Sequence, residues 1–235
     1  MRQHDASSVG GGIMPTTVTI VGAGGIGSHL LSTLVPAVHR GALSESLGGI
    51  VFRVHDSDTI GAENLAHQRF LPSQVGSSKV RALKGSLAEF ESENLEIHAI
   101  PSDVRSTSDI SGSDIIVVAV DSSEARRVAH RTPGRWLDLR CSGDGFMAID
   151  HRVGGERVSS LTTEQPPMSC QLEGSIESGN IQFGFLSAAA HGAQWVIQSL
   201  RELSGEGRTL PPMPQSASIT FGTLGRLETV QEVEG

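Results

Sequence analysis

The 235-residue sequence predicts an α/β domain built on a doubly wound, mostly parallel sheet with helices on both faces. Three observations carry that prediction. Short β-branched runs alternate with segments of helical period. The first run ends in a glycine turn that opens a helix. Residues 114–121, DIIVVAVD, form a continuous apolar run of the kind found in strands buried on both faces.

Taken in order, residues 16–22 (TTVTIVG) read as the first strand, β-branched and closed by glycine. Residues 26–40 follow with Ile26, Leu30, Leu31, Leu34 and Val38 at helical spacing, and Pro36 predicts a kink or an early end. Residues 40–49 are a polar connection, and 49–56 (GIVFRVHD) form a second strand ending in an acid. Residues 78–90 are helical, and a third strand reaches Pro101. The apolar run at 114–121 is the fourth strand, and residues 122–131 are helical. Residues 135–142 (RWLDLRCS) and 145–153 (GFMAIDHRV) supply two further strands.

Beyond residue 152 the pattern loosens. Residues 154–179 are polar, contain Pro166 and Pro167, and read as a long crossover loop of the kind that is usually functional. Residues 180–203 form an Ala-rich helix capped by Ser178 or Asn180, and the tail at 216–230 offers one edge strand. The expected organisation is a flexible leader at 1–15, a nucleotide-binding domain at 16–152, and a loop-and-helix extension at 153–235 packed on it.

Composition excludes several function classes. A net charge of −8 opposes binding to nucleic acid or to an anionic membrane surface. Seven Phe, two Trp and no Tyr give little material for stacking on bases. No apolar run approaches a membrane span, and the N-terminal residues lack the apolar segment of a signal peptide, so the expected compartment is the cytoplasm. The two cysteines, Cys141 and Cys170, exclude a disulfide framework and a four-Cys zinc site. No pair of the nine His has metal-ligand spacing. Of the 18 basic residues only Lys79 and Lys84 are lysine, which singles out a lysine placed where chemistry needs one.

Gly22, Gly24 and Gly27 fit G-x-G-x-x-G between a strand and a helix, where backbone N–H groups at a helix N-terminus can meet a phosphate. Asp56 ends the next strand and is placed to hold ribose hydroxyls, although it lies 34 residues beyond Gly22 rather than the usual ~20. The runs HDSDTIGAENLAHQRFL and QVGSSKVRAL then place Asp58, Asn64, Gln68, Arg69 and Lys79 close together. Amides and cations in one stretch suit a triphosphate better than a dinucleotide.

These blocks resemble the ThiF/MoeB/HesA superfamily, which includes the activating enzymes for ubiquitin and its relatives. The resemblance covers residues 16–149 and the helix at 180–203. It is carried by VGAGGIGS, D-x-D-T-I-x-x-x-N-L-x-x-Q at 56–68, V-G-x-x-K at 75–79 and V-D-x-x-x-x-R at 120–126. It implies a Rossmann-like fold and an ATP-dependent adenylyltransferase. Such an enzyme adenylates the C-terminal carboxylate of a small ubiquitin-like or sulfur-carrier protein ending in Gly-Gly, using ATP and Mg²⁺.

Carried over by position, Gly25 approaches the phosphates and Asp56 holds the ribose. Asn64 and Lys79 contact phosphates, with Asp58, Gln68 and Ser122 beside the nucleotide. Asp121 binds Mg²⁺, and Arg126 is structural. The sequence departs from the family where N-L-x-R-Q is usual, because His67 stands at the arginine's place. Arg69, two residues on, is the expected substitute, since a permanent planar cation grips phosphate at every working pH. The zinc-binding CxxC pairs are absent, so no zinc is expected.

Cys170 lies where relatives carry a zinc ligand or a cysteine that accepts the partner as a thioester. No cation adjoins it in sequence to lower its pKa, which favours an inert thiol. The family habit of pairing, with Phe183, Phe185, Leu186 and Trp195 on an apolar helix, predicts a homodimer. Two other readings stand beside this one: a catalytically weakened scaffold of the same family, and an NAD(P)-dependent oxidoreductase of Rossmann fold.

Overall fold

The structure, a computed structural model, describes residues 14–163, 170–206 and 216–218. Seven strands lie in one sheet in the order β3-β2-β1-β4-β5-β6-β7. They are β1 (Thr16–Val21), β2 (Ile50–His55), β3 (Leu95–Ile100), β4 (Ile115–Val118), β5 (Arg135–Ser142), β6 (Gly145–Asp150) and β7 (Ser216–Ser218). The first five are mutually parallel, while β6 and β7 run antiparallel at one edge. In the sequence-predicted tail strand, 216–218 pairs with β6; the remainder of that segment, and residues 1–13 of the expected leader, lie outside the described residues.

The strand period of two divides the core between the two faces of the sheet. Val18 and Ile20 of β1, with Ile115 and Val117 of β4, pack under helices α1 (Gly25–Val38), α3 (Lys79–Leu87) and α6 (Gly184–Leu203). Val21, Ile116 and Val118 face the other way, toward α4 (Ser123–His130) and α5 (Gly155–Leu161). Both faces of β4 are therefore apolar, which is why its sequence is an unbroken Ile-Ile-Val-Val run.

The structure departs from the sequence expectation at several places. The polar connection at 40–49 holds a short helix, α2 (Ala42–Ser46), entered through Gly41 at φ 107°. Pro36 lies inside α1, which stops at Val38, two residues short of the expected end. The crossover segment is not all loop, since α5 buries Val158 against the second core.

The last helix starts at Gly184, four residues later than expected, and neither Ser178 nor Asn180 caps it. The Ser178 hydroxyl instead donates to Gly174 O, and the Gly184 N–H donates to Gly143 O at 3.0 Å. A Cβ at Gly184 would lie 2.5 Å from that carbonyl, so the β5–β6 turn fixes where the helix begins.

The predicted apolar dimer surface is also smaller than expected. Phe185 and Trp195 belong to the internal core, and Trp195 Nε1 donates to the buried Asp150 carboxylate at 2.9 Å. Only Phe183 and Leu186 of that set remain partly exposed.

Candidate active site

The chain leaves β1 for β2 and β3 on one side, then returns to β4 on the other. That reversal opens a crevice at the carboxyl ends of the parallel strands. A cleft of about 720 Å³ lies there, within the range that holds a small ligand.

Its floor is the glycine turn. Gly22 sits at φ 100°, and a Cβ there would meet Ala119 O at 2.6 Å. A Cβ at Gly27 would meet Gly22 O at 1.9 Å, so α1 can pack this tightly on β1 only without a side chain at that position. Gly24 differs: its Cβ would find nothing nearer than the Gln68 amide at 4.0 Å. Two glycines therefore serve packing, and Gly24 leaves open space at the N-terminus of α1.

Asp56 ties the turn to the end of β2. Its carboxylate accepts from Ala23 N at 2.7 Å and from Asp58 N at 2.8 Å. Burial pushes its pKa up, and those two amides together with Lys79 oppose the rise. A carboxylate oxygen has two lone pairs, so acceptor capacity remains for a ligand hydroxyl.

Lys79 opens α3 with its side chain 8% exposed, and its ammonium meets Asp58 at 2.8 Å. Asp58 is 65% exposed and unlike Lys79 lies at the solvent side of the pair. Asn64 commits its amide oxygen to Gly61 N at 2.9 Å, which shapes the turn of 3-10 helix at Ala62–Ala66. On the opposite wall, Asp121 is exposed at the mouth and Ser122 caps α4 through Ala125 N. Arg126 donates to Val120 O and faces Asp138, so it braces the β4–α4 loop.

Gly22, Gly24, Gly25, Asp56, Asp58, Asn64, Gln68, Lys79, Asp121 and Ser122 all border this one cleft. Gly27 stands behind it. Arg69 does not border it: its backbone N–H is held by Ser28 Oγ at 3.0 Å and its side chain is exposed. The expectation that Arg69 swings in to replace the missing arginine does not match this placement. The residue on the wall is His67, buried and adjacent to Gln68.

One buried group beside the cleft, Asp138, is not among the sequence-predicted site residues. Asp138 is fully buried. Its carboxylate accepts from Arg140 Nη2 at 2.6 Å and His130 Nε2 at 3.1 Å, and Arg126 Nε lies 3.4 Å away. Burial alone would raise its pKa, but these donors and cations hold it below the usual carboxylate range. Asp138 and Arg140 are two apart on β5, a polar pair inside an apolar strand, and that signal was present in RWLDLRCS.

Cys170, which the sequence favours as an inert thiol over a thioester nucleophile, has surroundings that the sequence does not show. Distant in sequence from any cation, it is brought against Cys141 and His67. The Cys141 thiol first, and then the His67 imidazole, outweigh burial and lower its pKa to about 5. Its sulfur would lie 3.2 Å from a Cβ on Gly25.

Residues 13–190 match the ThiF family. The chain belongs to the ThiF family. No curated protein matches it by sequence. Among solved structures, PaaA superposes with a TM-score of 0.57 at 16% identity, over 87% of this chain and 61% of PaaA. Escherichia coli MccB in complex with MccA gives a TM-score of 0.58 at 18% identity, over 88% of this chain and 64% of MccB. MccB with ATP gives 0.55 at 19% identity, over 81% and 57%. At these identities the likeness is one of fold, and the chain spans about three fifths of each matched structure. Among the described residues no helix is long and apolar enough to cross a membrane.

Proposed function

We propose that this ThiF-family chain is an ATP-dependent adenylyltransferase acting on the C-terminal carboxylate of a small ubiquitin-like or sulfur-carrier protein that ends in Gly-Gly. The observation that carries the reading is the open face of Gly24 at the α1 N-terminus, in one cleft with Asp56, Lys79 and Asp121. MccB, which shares the fold, is seen with ATP, which supports the same ligand here. We favour this over the nicotinamide alternative because the family match spans the Asn64 and Lys79 blocks as well as the glycine turn.

The residues fit a nucleotide. Helix N–H groups and the α1 dipole favour phosphate above Gly24 and Gly25. Asp56 holds ribose hydroxyls, and Asn64, Gln68 and Lys79 line the phosphate path. The buried Gln68 Oε1 has no partner among the described residues, as expected of a side chain waiting for a ligand or water. Among the described residues no group of three or more His, Cys, Asp or Glu could hold a metal ion. Mg²⁺ is often held by one carboxylate with phosphate oxygens and water, a role Asp121 suits at the cleft mouth. Bound there, the ion would supply charge neutralisation on the phosphates.

The reaction is attack of a carboxylate oxygen on the α-phosphorus with pyrophosphate leaving. The protein's share is therefore positioning and electrostatics. Lys79 offsets charge on the departing phosphates once Asp58 turns to solvent. Homodimerisation is part of the proposal, with Leu172, Phe183 and Leu186 as the exposed apolar residues that pairing would cover. Light scattering giving the mass of one chain at micromolar concentration would reject the dimer.

ATP–pyrophosphate exchange with a panel of small β-grasp proteins ending in Gly-Gly tests the activity. Exchange should depend on a partner and disappear in Lys79→Ala, which keeps a good helix former at that position. ATP binding without exchange for any partner would assign the chain to the scaffold reading instead. Failure to bind ATP would remove both.

A further inference from the structure

We propose that Cys141 and Cys170 form a dithiol–disulfide pair that hydroperoxides oxidise, Cys170 attacking the peroxide and Cys141 closing the disulfide. The inference concerns the redox chemistry of the cleft wall and does not depend on what the cleft binds.

The two thiols are free, lie 29 residues apart in sequence and border the same cleft. Their meeting is built into the fold. Cys141 stands near the end of β5, opposite Phe146 in the hairpin register. Cys170 is pinned to the β5–β6 turn by Gly143 N, which donates to Cys170 O at 3.0 Å. The next residue is locked in turn. Gln171 Nε2 donates to Gln182 O at 2.7 Å, and Gln171 Oε1 accepts from Gln182 N at 2.9 Å, both in the interior. With Gly143 only two residues beyond Cys141, this anchoring sets both thiols on one stretch of the cleft wall, where each shifts the titration of the other.

The surroundings divide the labour between the two sulfurs. Cys170 faces the Cys141 thiol, the His67 imidazole and Gln171, all of which favour its anion. The Cys141 thiol is pushed far up, first by its hydrogen bond to Cys170, then by burial and by the Cys170 charge; Arg126 opposes the shift. At neutral pH the pair therefore holds one negative charge, on the sulfur that borders the glycine turn.

The chemistry balances in two steps. The Cys170 thiolate attacks one oxygen of a hydroperoxide. An S–O bond forms, the O–O bond breaks, and the leaving hydroxide or alkoxide takes a proton to give water or an alcohol. Cys170 is now a neutral sulfenic acid, so the charge and hydrogen bond that held the proton on Cys141 are gone while Arg126 remains. The Cys141 sulfur then attacks the Cys170 sulfur. The S–S bond forms, the S–O bond breaks, and hydroxide leaves with the Cys141 proton as a second water. Two thiols lose two electrons and one peroxide gains them.

The test treats the reduced full chain with hydrogen peroxide, blocks remaining thiols and measures intact mass and linked peptides. The wild type should lose two hydrogens, yield a Cys141–Cys170 cross-linked peptide within one chain, and recover on thiol reduction. In Cys141→Ser, dimedone should label Cys170. The wild-type rate should be level from about pH 6.5 to 8, because an anion of pKa about 5 is already formed. An ordinary thiol would instead react about tenfold faster per pH unit in that range. An unchanged wild-type mass, a cross-link only between chains, or a rate climbing with pH would each overturn the proposal, and none of these readings needs a variant to fold.

Discussion

Gly24→Ala and Gly27→Ala add the same methyl group three residues apart, and the structure predicts opposite consequences. At Gly27 the methyl would lie 1.9 Å from Gly22 O, against an ordinary contact of about 3.4 Å, so α1 must lift from β1 by more than an ångström. Ala in place of Gly inside a helix favours the helix by about 1 kcal/mol. Overpacking of a tight core contact costs roughly 1–3 kcal/mol or more, and here the blocking atom is backbone rather than a movable side chain. A net loss of about 2 kcal/mol corresponds to a fall in Tm of roughly 4–8 °C for a domain of this size. At Gly24 the backbone lies at φ −77°, outside the left-handed region that favours glycine, and the methyl meets nothing nearer than the Gln68 amide at 4.0 Å. Gly24→Ala should therefore unfold within about 1 °C of wild type. Its methyl occupies the space above the α1 N-terminus, so ATP affinity should fall at least tenfold by calorimetry. Equal Tm losses in the two variants would refute the packing argument. Wild-type ATP affinity in Gly24→Ala would refute the cradle.

Two further outcomes follow from the cleft walls. Asp138→Asn removes the one carboxylate shared by Arg140, Arg126 and His130 and should destabilise by about 3–5 kcal/mol, read by denaturant unfolding. The folded Asp138 pKa lies below its unfolded value of 3.8, so its stabilisation is complete above that pH and is lost as pH falls through the folded value. The variant should accordingly lose less stability than wild type between pH 5 and about 2; parallel acid limbs would count against this. His67→Ala should raise the Cys170 pKa seen in its alkylation profile, and Arg69→Ala should leave ATP affinity within about twofold. An unmoved Cys170 pKa in His67→Ala would count against that contact, and a large loss of ATP affinity in Arg69→Ala would restore Arg69 to the phosphates.

Period and glycine placement made the fold readable. β-Branched and continuous apolar runs alternating with segments of helical period, together with the turn at Gly22–Gly27, leave few topologies other than a doubly wound sheet, and Asp56, Lys79 and Asp121 do meet in one crevice. What escaped the reading depends on tertiary approach. Cys170 shows no stabilising neighbour in sequence, because His67 reaches it across about a hundred residues. Arg69 has the right chemistry for phosphate, but the hydroxyl of Ser28 on α1 holds its backbone outside the cleft. Ser178 and Asn180 carry a capping signal in the sequence, whereas a carbonyl of the β5–β6 turn sets the start of α6.

The replacement of an arginine by His67 and the charge on Cys170 are linked. A guanidinium at position 67 would be committed to phosphate at every pH. An imidazole beside Cys170 partners the thiolate instead, so the cleft holds an anion of its own against Gly25, the first residue of α1. That is the end of the helix where phosphate would dock, and like charges there repel. For unit charges ~6 Å apart at an effective dielectric of ~40, Coulomb's law gives ~1.4 kcal/mol, about tenfold in affinity, and less at high salt. Either removal of the charge should then tighten ATP binding by several-fold: the Cys141–Cys170 disulfide, or Cys170→Ser in the reduced protein. Calorimetry at pH 7.5 in low salt measures both, with the difference shrinking at 0.5 M salt. Equal ATP affinity in reduced wild type, oxidised wild type and Cys170→Ser would show that the sulfur and the nucleotide do not share that helix end. Weaker binding in Cys170→Ser alone would instead make the thiol a contact of the ligand.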